Sequence, residues 1–493
     1  MNFYNIDVKL LKTEKNVPFL LRIYAGVRSL PHLNHRFILF FSENLYIKLL
    51  QRGFSVSDYK KKLLKISVPI ILSNLIAQVQ MLIDRIFLGR MNILYMSAVG
   101  NATAPVWTTL SFVYSLSMGA SILISQSVGA GDIGKGKDYA ASMVKYHNIL
   151  PVLLFLFWTF LSPLVFKLMG VSENVIDLCV TYTRLYAPVF LIVGLGASYS
   201  VIFQSSNYTK PLVAYGLIRS VLNVILDYVL IFGHFGFPRM ELAGAALGTT
   251  IAEYAGALYL LYVSIAKRKK FFTSPGLKRI LRAEFVPYIR SAKLGVNTAL
   301  EDLLWNFGNL MIIRILNTID EKAAGIYSMV FTVEVIFVVI IGAMGNGTLT
   351  LSGEATGAKD LKLYRKIVLT ALKWSCLISA AALIFVSIFP RQTLSLFTTD
   401  KDVIELSVVF IILVMANLFG KSGNIIIGSG IRGFGDTKWM LFTQILGTVA
   451  VILLACLFVF VLKFGMIGVF AAVLVDEAAR AGINAIRFMK VKF

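Results

Sequence analysis

The sequence predicts an all-α polytopic membrane protein, with twelve transmembrane helices arranged as two pseudo-symmetric six-helix bundles. Three observations predict it. Of the 493 residues 57% are hydrophobic and only 15% charged, and the mean hydropathy is +0.76, outside the range of soluble globular domains. Apolar runs of about 20 residues recur between short polar breaks, the length a helix needs to cross a hydrocarbon layer roughly 30 Å thick. Finally, a motif of the first half returns in the second at a fixed offset.

Taken in order, residues 1–59 mix charges with apolar pieces such as Phe37–Phe41 that are too short to span. They read as a cytoplasmic or interfacial extension whose Lys and Arg are attracted to anionic lipid. The expected spans follow at 63–88, 95–126, 139–169, 174–205, 210–233, 240–265, 286–317, 323–353, 362–390, 402–430, 437–462 and 464–487. Basic residues gather in alternate breaks: Lys60–Lys62, Lys135 with Lys137, Lys267–Lys270 with Lys278, Arg279 and Arg282, Lys362 with Arg365 and Lys366, then Arg487 and Lys490. The other breaks carry few, namely Arg90, Arg239, Lys322, Arg391 and Lys463. This positive-inside pattern puts both termini in the cytoplasm. It also accounts for the net charge of +22 without nucleic acid as a partner. Cys179, Cys376 and Cys456 all fall inside spans with no metal or disulfide spacing, and read as small buried hydrophobes.

The repeat sets the domain plan. Ser125–Asp132 (SQSVGAGD) returns as Gly353–Asp360 (GEATGAKD) at an offset of 228, which also carries Thr209-Lys210 onto Thr437-Lys438. Past the next loop the offset becomes 224, matching Leu242-Ala243-Gly244 to Met466-Ile467-Gly468. Six spans separate the copies, an even number, so the repeats have parallel topology about an axis along the membrane normal. The plan is an N-terminal lobe over 60–265, a basic linker over 266–285 and a C-terminal lobe over 286–493, facing each other across a cleft suited to alternating access.

Ionisable side chains inside the spans are the candidate functional residues, because a charge in the hydrocarbon is costly to keep. Asp84, Asp227 and Thr249 lie at similar depth on three helices of the first lobe, and Asn223 sits one helical turn before Asp227. Two carboxylates close together in low dielectric take up H⁺ or bind Na⁺, with Asn223 and Thr249 supplying neutral oxygens. At the repeat offset Asn223 and Asp227 become Val451 and Ala455, so this acidic site belongs to the first lobe alone. Glu253 maps onto Glu477, which points to a shared structural job, such as bonding a neighbouring helix. In the second lobe Glu301 and Glu334 either face the cleft, favouring a cationic substrate, or bond another helix. Trp305 and Tyr327, with Trp107, Tyr114, Phe307 and Phe331, are candidates to line a cleft for flat lipophilic compounds or to pack. Pro69 allows the first span to bend.

The sequence holds no HExxH, Walker A or GxSxG motif. With no enzymatic constellation and no cofactor motif, an ion gradient is the expected energy source. Four stretches, Val68–Arg90, Met118–Asp132, Leu222–Gly233 and Gly244–Thr250, together with the second-half TGAKD, resemble the multidrug and toxic compound extrusion (MATE) family of secondary transporters, in its prokaryotic branch. The resemblance runs from about residue 60 to the end. It implies two six-helix lobes, exchange of H⁺ or Na⁺ for organic and often cationic substrates, a cation site at Asp84, Asn223, Asp227 and Thr249, and a bending proline at Pro69. It further implies a monomer in a bacterial or archaeal plasma membrane. Ala197–Ser200 lacks the Asn that the family often adds to the site, and Glu253 and Glu354 stand where Gln looks commoner. The rival readings are a lipid-linked oligosaccharide flippase, which needs a cleft rich in Arg and Lys, and an integral-membrane transferase, which needs a substantial catalytic loop.

Overall fold

The computed structural model describes residues 58–493 other than 90, 268–270, 272, 321 and 493. The expected extension therefore lies outside the described residues except for its last two, as do Arg90 and three basic residues of the linker. The first half consists of α1 (Asp58–Gly89), α2 (Ile93–Gly129), α3 (Ile133–Tyr146), α4 (Ile149–Leu168), α5 (Glu173–Tyr186), α6 (Val189–Ser205), α7 (Lys210–Phe232) and α8 (Glu241–Ala266). A short α9 (Leu277–Leu281) lies in the linker. The second half is α10 (Phe285–Leu316), α11 (Ala323–Gly357), α12 (Leu361–Ile388), a turn α13 (Pro390–Leu394), α14 (Lys401–Phe434), α15 (Thr437–Cys456) prolonged by a π-helical turn, and α16 (Gly465–Met489). No strand occurs among the described residues.

Nine stretches among the described residues are long and apolar enough to cross a membrane, one of them running through α3 and α4, and the bent pair α5–α6 makes a tenth. The remaining two expected spans are α10 and α16, 32 and 25 residues long. They carry too many ionisable residues to stand out by composition, and their acids are paired inside the protein, as described below. Two expected spans prove broken. The span expected at 139–169 begins earlier, because Asp132 caps α3 through Lys135 N–H (2.9 Å), and it is interrupted at His147 and Asn148. The span expected at 174–205 bends by 47° where Pro188 follows α5, since proline has no N–H to continue the helical ladder. Pro69, by contrast, lies inside a continuous α1. Its ring removes the donor for the Lys65 carbonyl one turn back, and Thr209 Oγ1 donates to that carbonyl instead, at 2.7 Å.

The repeat is physical as well as textual. Asp360 caps α12 through Leu363 N–H at 2.9 Å, reproducing the Asp132 cap of α3 at the 228 offset. The repeat mates Gly129 and Gly357 bring α2 and α11 into contact: a Cβ on Gly129 would lie 1.8 Å from the Glu354 carbonyl oxygen, and one on Gly357 1.9 Å from that of Gln126. No other residue fits either position without parting the two halves. Side chains of the same two turns tie the halves together. Gln126 Nε2 donates to the carbonyls of Gly433 (2.9 Å) and Phe434 (3.1 Å) at the end of α14. Its repeat mate Glu354 has no N–H to give, so the symmetric bond is reversed: Glu354 accepts from Asn207 Nδ2 of the first half at 2.7 Å and lies 3.9 Å from Lys62. All these contacts lie at the face bearing the basic loops.

Candidate functional site

The first-half site is assembled by α1, α7 and α8. Asn223 and Asp227, one turn apart on α7, are fully buried. The Asn223 amide lies between the two acids, 3.3 Å from Asp227 Oδ1 and 3.0 Å from Oδ1 of Asp84 on α1. On α8, Gly248 makes room for the pair, because a Cβ there would stand 2.4 Å from Asp227 Oδ1. The small-residue run Gly244–Thr250 thus serves to bring Thr249 beside Asn223. Turned so that its NH₂ faces Asp84 Oδ1 (3.0 Å), the Asn223 amide accepts from both the hydroxyl (3.1 Å) and the backbone N–H (3.2 Å) of Thr249. All four sequence-predicted residues therefore meet in one place.

Sequence reasoning missed one member. Gln80, one turn before Asp84 on α1, donates to Asp84 Oδ2 at 2.9 Å and is touched by the Ser220 hydroxyl at 3.4 Å. The same four-residue spacing that joined Asn223 to Asp227 would have found it. Asp227 Oδ2 has no protein hydrogen-bond donor. Two ionised carboxylates cannot hydrogen bond to each other, since neither has a hydrogen to give. Two acids brought together around one amide repel each other when both are ionised, so the arrangement favours a proton or a cation among their oxygens. The oxygens gathered here, from Asp84, Asp227, Asn223 and Thr249, are of the kind a hard cation takes as ligands.

The Gly248 contact yields a direct test. Gly248→Ala puts a methyl against the mobile end of Asp227 rather than against backbone, so the helix tolerates it and thermal stability should change by only a few degrees. The carboxyl must swing away from Asp84, and transport in reconstituted vesicles is expected to fall at least about tenfold, as small misplacements of a reacting group do. Unchanged transport would mean that the Asp84–Asp227 contact is dispensable.

The second-half acids have partners on other helices, basic ones for Glu301 and Glu334. Glu301 on α10 forms an ion pair with Arg432 of α14, and Asp302 accepts from the Ser115 hydroxyl of α2. Glu334 on α11 is 2.7 Å from Lys421 Nζ of α14. All three are helix-to-helix bonds, and those of Glu301 and Glu334 pair the acid with a cation, which accounts for these charges in the spans. Glu334, Trp305 and Tyr327 line one cavity together with Phe331, Asn417 and Lys421, but Glu301 is not among its walls. The cavity holds about 40 Å³, room for a few water molecules and not for an organic substrate. Trp107 and Phe307, 62% and 52% exposed, are not among the walls of this cavity. Glu253 and Glu477 each bond a neighbouring helix, Glu253 through Arg219 of α7 at 3.0 Å and Glu477 through Asn424 of α14 at 2.5 Å.

Comparison with known proteins adds an independent view. The MatE family profile matches residues 69–229 and 298–457, more than half of the chain and one block in each half. A probable multidrug resistance protein NorM of Thermotoga maritima is 26% identical, over 89% of this chain and 94% of its own. The multidrug export protein MepA of Staphylococcus aureus is 24% identical, over 86% and 92%. A solved structure described as the outward-facing conformation of a multidrug resistance MATE family transporter of the MOP superfamily superposes with a TM-score of 0.79 at 20% identity, covering 88% of this chain and 96% of that one.

Proposed function

This chain belongs to the MatE family of membrane transporters, and we propose that it is a secondary exporter exchanging inward-moving H⁺ or Na⁺ for organic, cationic or amphiphilic compounds by alternating access. It is a transporter rather than an enzyme. The observation that carries the proposal is the meeting of half-buried Asp84 and fully buried Asp227 around the Asn223 amide, with Thr249 of a third helix beside it. Loading a proton or Na⁺ onto this pair removes the repulsion between the carboxylates. Unloading it restores the repulsion and favours separation of α1 from α7. Pro69 gives α1 a point about which to move, and the Thr209 hydroxyl bond to Lys65 holds the carbonyl that the proline leaves free.

With the positive-inside reading of the loops, the closure at the basic-loop face supports a conformation sealed on the cytoplasmic side. Gln126, Asn207, Glu354 and the Gly129–Gly357 contact form that seal. The two-lobe plan supports a monomeric unit, since one chain supplies both sides of the closure. Substrate export is coupled only if cation and substrate favour different conformations, because a ligand that binds both equally shifts nothing. The names of the relatives support an organic substrate class, and the spent charges of Glu301 and Glu334 move the weight of cation recognition to residues exposed when the halves part.

The test is efflux of a fluorescent organic cation from proteoliposomes holding the purified chain, with a pH gradient or a Na⁺ gradient imposed separately. Efflux driven by one of them is expected, and identifies the ion. A folded, correctly oriented chain that moves no organic cation under either gradient would overturn the exporter reading and favour the lipid-linked oligosaccharide flippase.

A further inference from the structure

The linker between the halves forms a basic cleft that the transport reading does not use. Its α9 is fixed on α3 by spent charges: Arg279 Nε donates to Asp138 at 2.6 Å and Arg279 Nη2 to the Gly134 carbonyl at 2.7 Å. Lys145 Nζ caps the last carbonyls of the linker helix, those of Leu281 (2.9 Å) and Ala283 (3.0 Å), and the Tyr146 hydroxyl also donates to Ala283 O at 2.9 Å. Beyond α9, the ring of buried Phe271 lies edge-on to Phe203 of α6, with centroids 4.8 Å apart. The linker is thus pinned at both ends.

What this scaffold leaves over is positive charge. A cleft of about 560 Å³ opens between α3, α9 and the start of α10. Lys137, Lys278 and Arg282 line it, and none of the three has an ion-pair partner among the described residues. Of the two acids in its wall, Asp138 is already committed to Arg279, which leaves only Glu284 against three free cations. Beside the cleft, Leu277 and Leu281, one turn apart on α9, are 71% and 66% exposed, and Phe285 and Val286 at the start of α10 are also exposed. A site for a soluble anion has no use for exposed leucines, whereas a headgroup site needs an apolar path for the acyl chains next to its cations.

The geometry points to a binding site for the phosphate of an anionic phospholipid, with the headgroup between Lys137, Lys278 and Arg282 and the acyl chains laid along Leu277, Leu281 and Phe285. The site rests on the membrane location of the chain and not on the exporter reading, so either can fail alone. A lipid held there joins the linker to the bilayer at the one segment that connects the two halves.

Native mass spectrometry of the full chain released from micelles, titrated with phosphatidylglycerol or phosphatidylcholine, tests it. The parent is expected to retain phosphatidylglycerol in preference to phosphatidylcholine. The variant Lys278→Gln/Arg282→Gln should retain it about tenfold less, and Lys362→Gln/Lys366→Gln, on a different basic loop, should match the parent. Leu277→Ser/Leu281→Ser, which leaves the charge unchanged, should also lose retention. Equal loss in the 362/366 variant would reduce the effect to diffuse surface charge and overturn the site. Displacement of phosphatidylglycerol by millimolar inorganic phosphate, with the leucine variant unaffected, would make the cleft a soluble-phosphate site and overturn the lipid assignment. Circular dichroism of each variant confirms that the fold is kept.

Discussion

Asp227→Asn is expected to abolish gradient-driven efflux, lowering the initial rate by roughly two orders of magnitude, while leaving the protein folded. The carboxamide has the shape of the carboxyl and still carries a donor for Asp84, so the α1–α7–α8 packing survives. Thermal unfolding should occur at the same temperature or slightly higher, because a fully buried ionisable group is replaced by a neutral one. What disappears is the ability to exist in two charge states, and with it any difference between loaded and unloaded conformations. Asp84→Asn acts on the same pair, so the double variant should be no worse than Asp227→Asn alone; groups that work as a unit are not additive. Efflux of organic cation by Asp227→Asn at near-parental rate under the same gradient would remove the pair from the coupling mechanism. Additive losses in the double variant would show two independent sites.

The parts of this molecule that sequence made legible are those that recur or that violate a local rule. The 228 offset relates the Asp132 and Asp360 caps to the residue, although the apolar run alone placed the start of the first of these spans at 139. Asp227 was visible because a carboxylate stands alone in an apolar run, and Asn223 because helical spacing puts it on the same face. Gln80 obeyed that spacing too, but an uncharged Gln in a span stands out less than a carboxylate does. The break at Pro188 had a local signal that the apolar run around it masked, whereas His147 and Asn148 offered none.

Pairing across the fold was not legible. Glu301 and Arg432 lie 131 positions apart, and Lys421 sits in the same helix as Arg432, inside a run whose hydropathy hides both. Without partners in view, Glu301 and Glu334 looked equally suited to an open cleft or to a helix bond. The structure gives each a cation from α14, which makes both of them helix-to-helix bonds. Glu354 belongs to the same class. Its difference from Gln126 is plain in the repeat, but only the fold reveals that the exchange reverses the direction of a hydrogen bond across the two halves.

That closure carries the other large expected effect. Gly129→Ala places a methyl where the Glu354 carbonyl oxygen is 1.8 Å away, and Gly357→Ala does the same against Gln126 O at 1.9 Å. Backbone, unlike the tip of a side chain, has no rotamer by which to escape, so the two halves must separate at the basic-loop face. Overpacking of this kind costs about 1–3 kcal/mol, which shifts a two-state equilibrium roughly 5- to 150-fold. Neither glycine lies in the Asp84–Asp227 site, so cation binding should persist while transport falls and the closed state loses population. Ser125 reports the change: it is fully buried and packs on Gly353 across the contact, with its Cβ 2.9 Å from a methyl built there. In a background free of Cys179, Cys376 and Cys456, Ser125→Cys should be almost inert to a membrane-impermeant maleimide. Adding Gly129→Ala or Gly357→Ala should make it react at least about fivefold faster from the basic-loop face. Equal labelling with and without the glycine substitutions would show that this face is not sealed by the paired turns, and the symmetric closure would have to be sought elsewhere along α2 and α11.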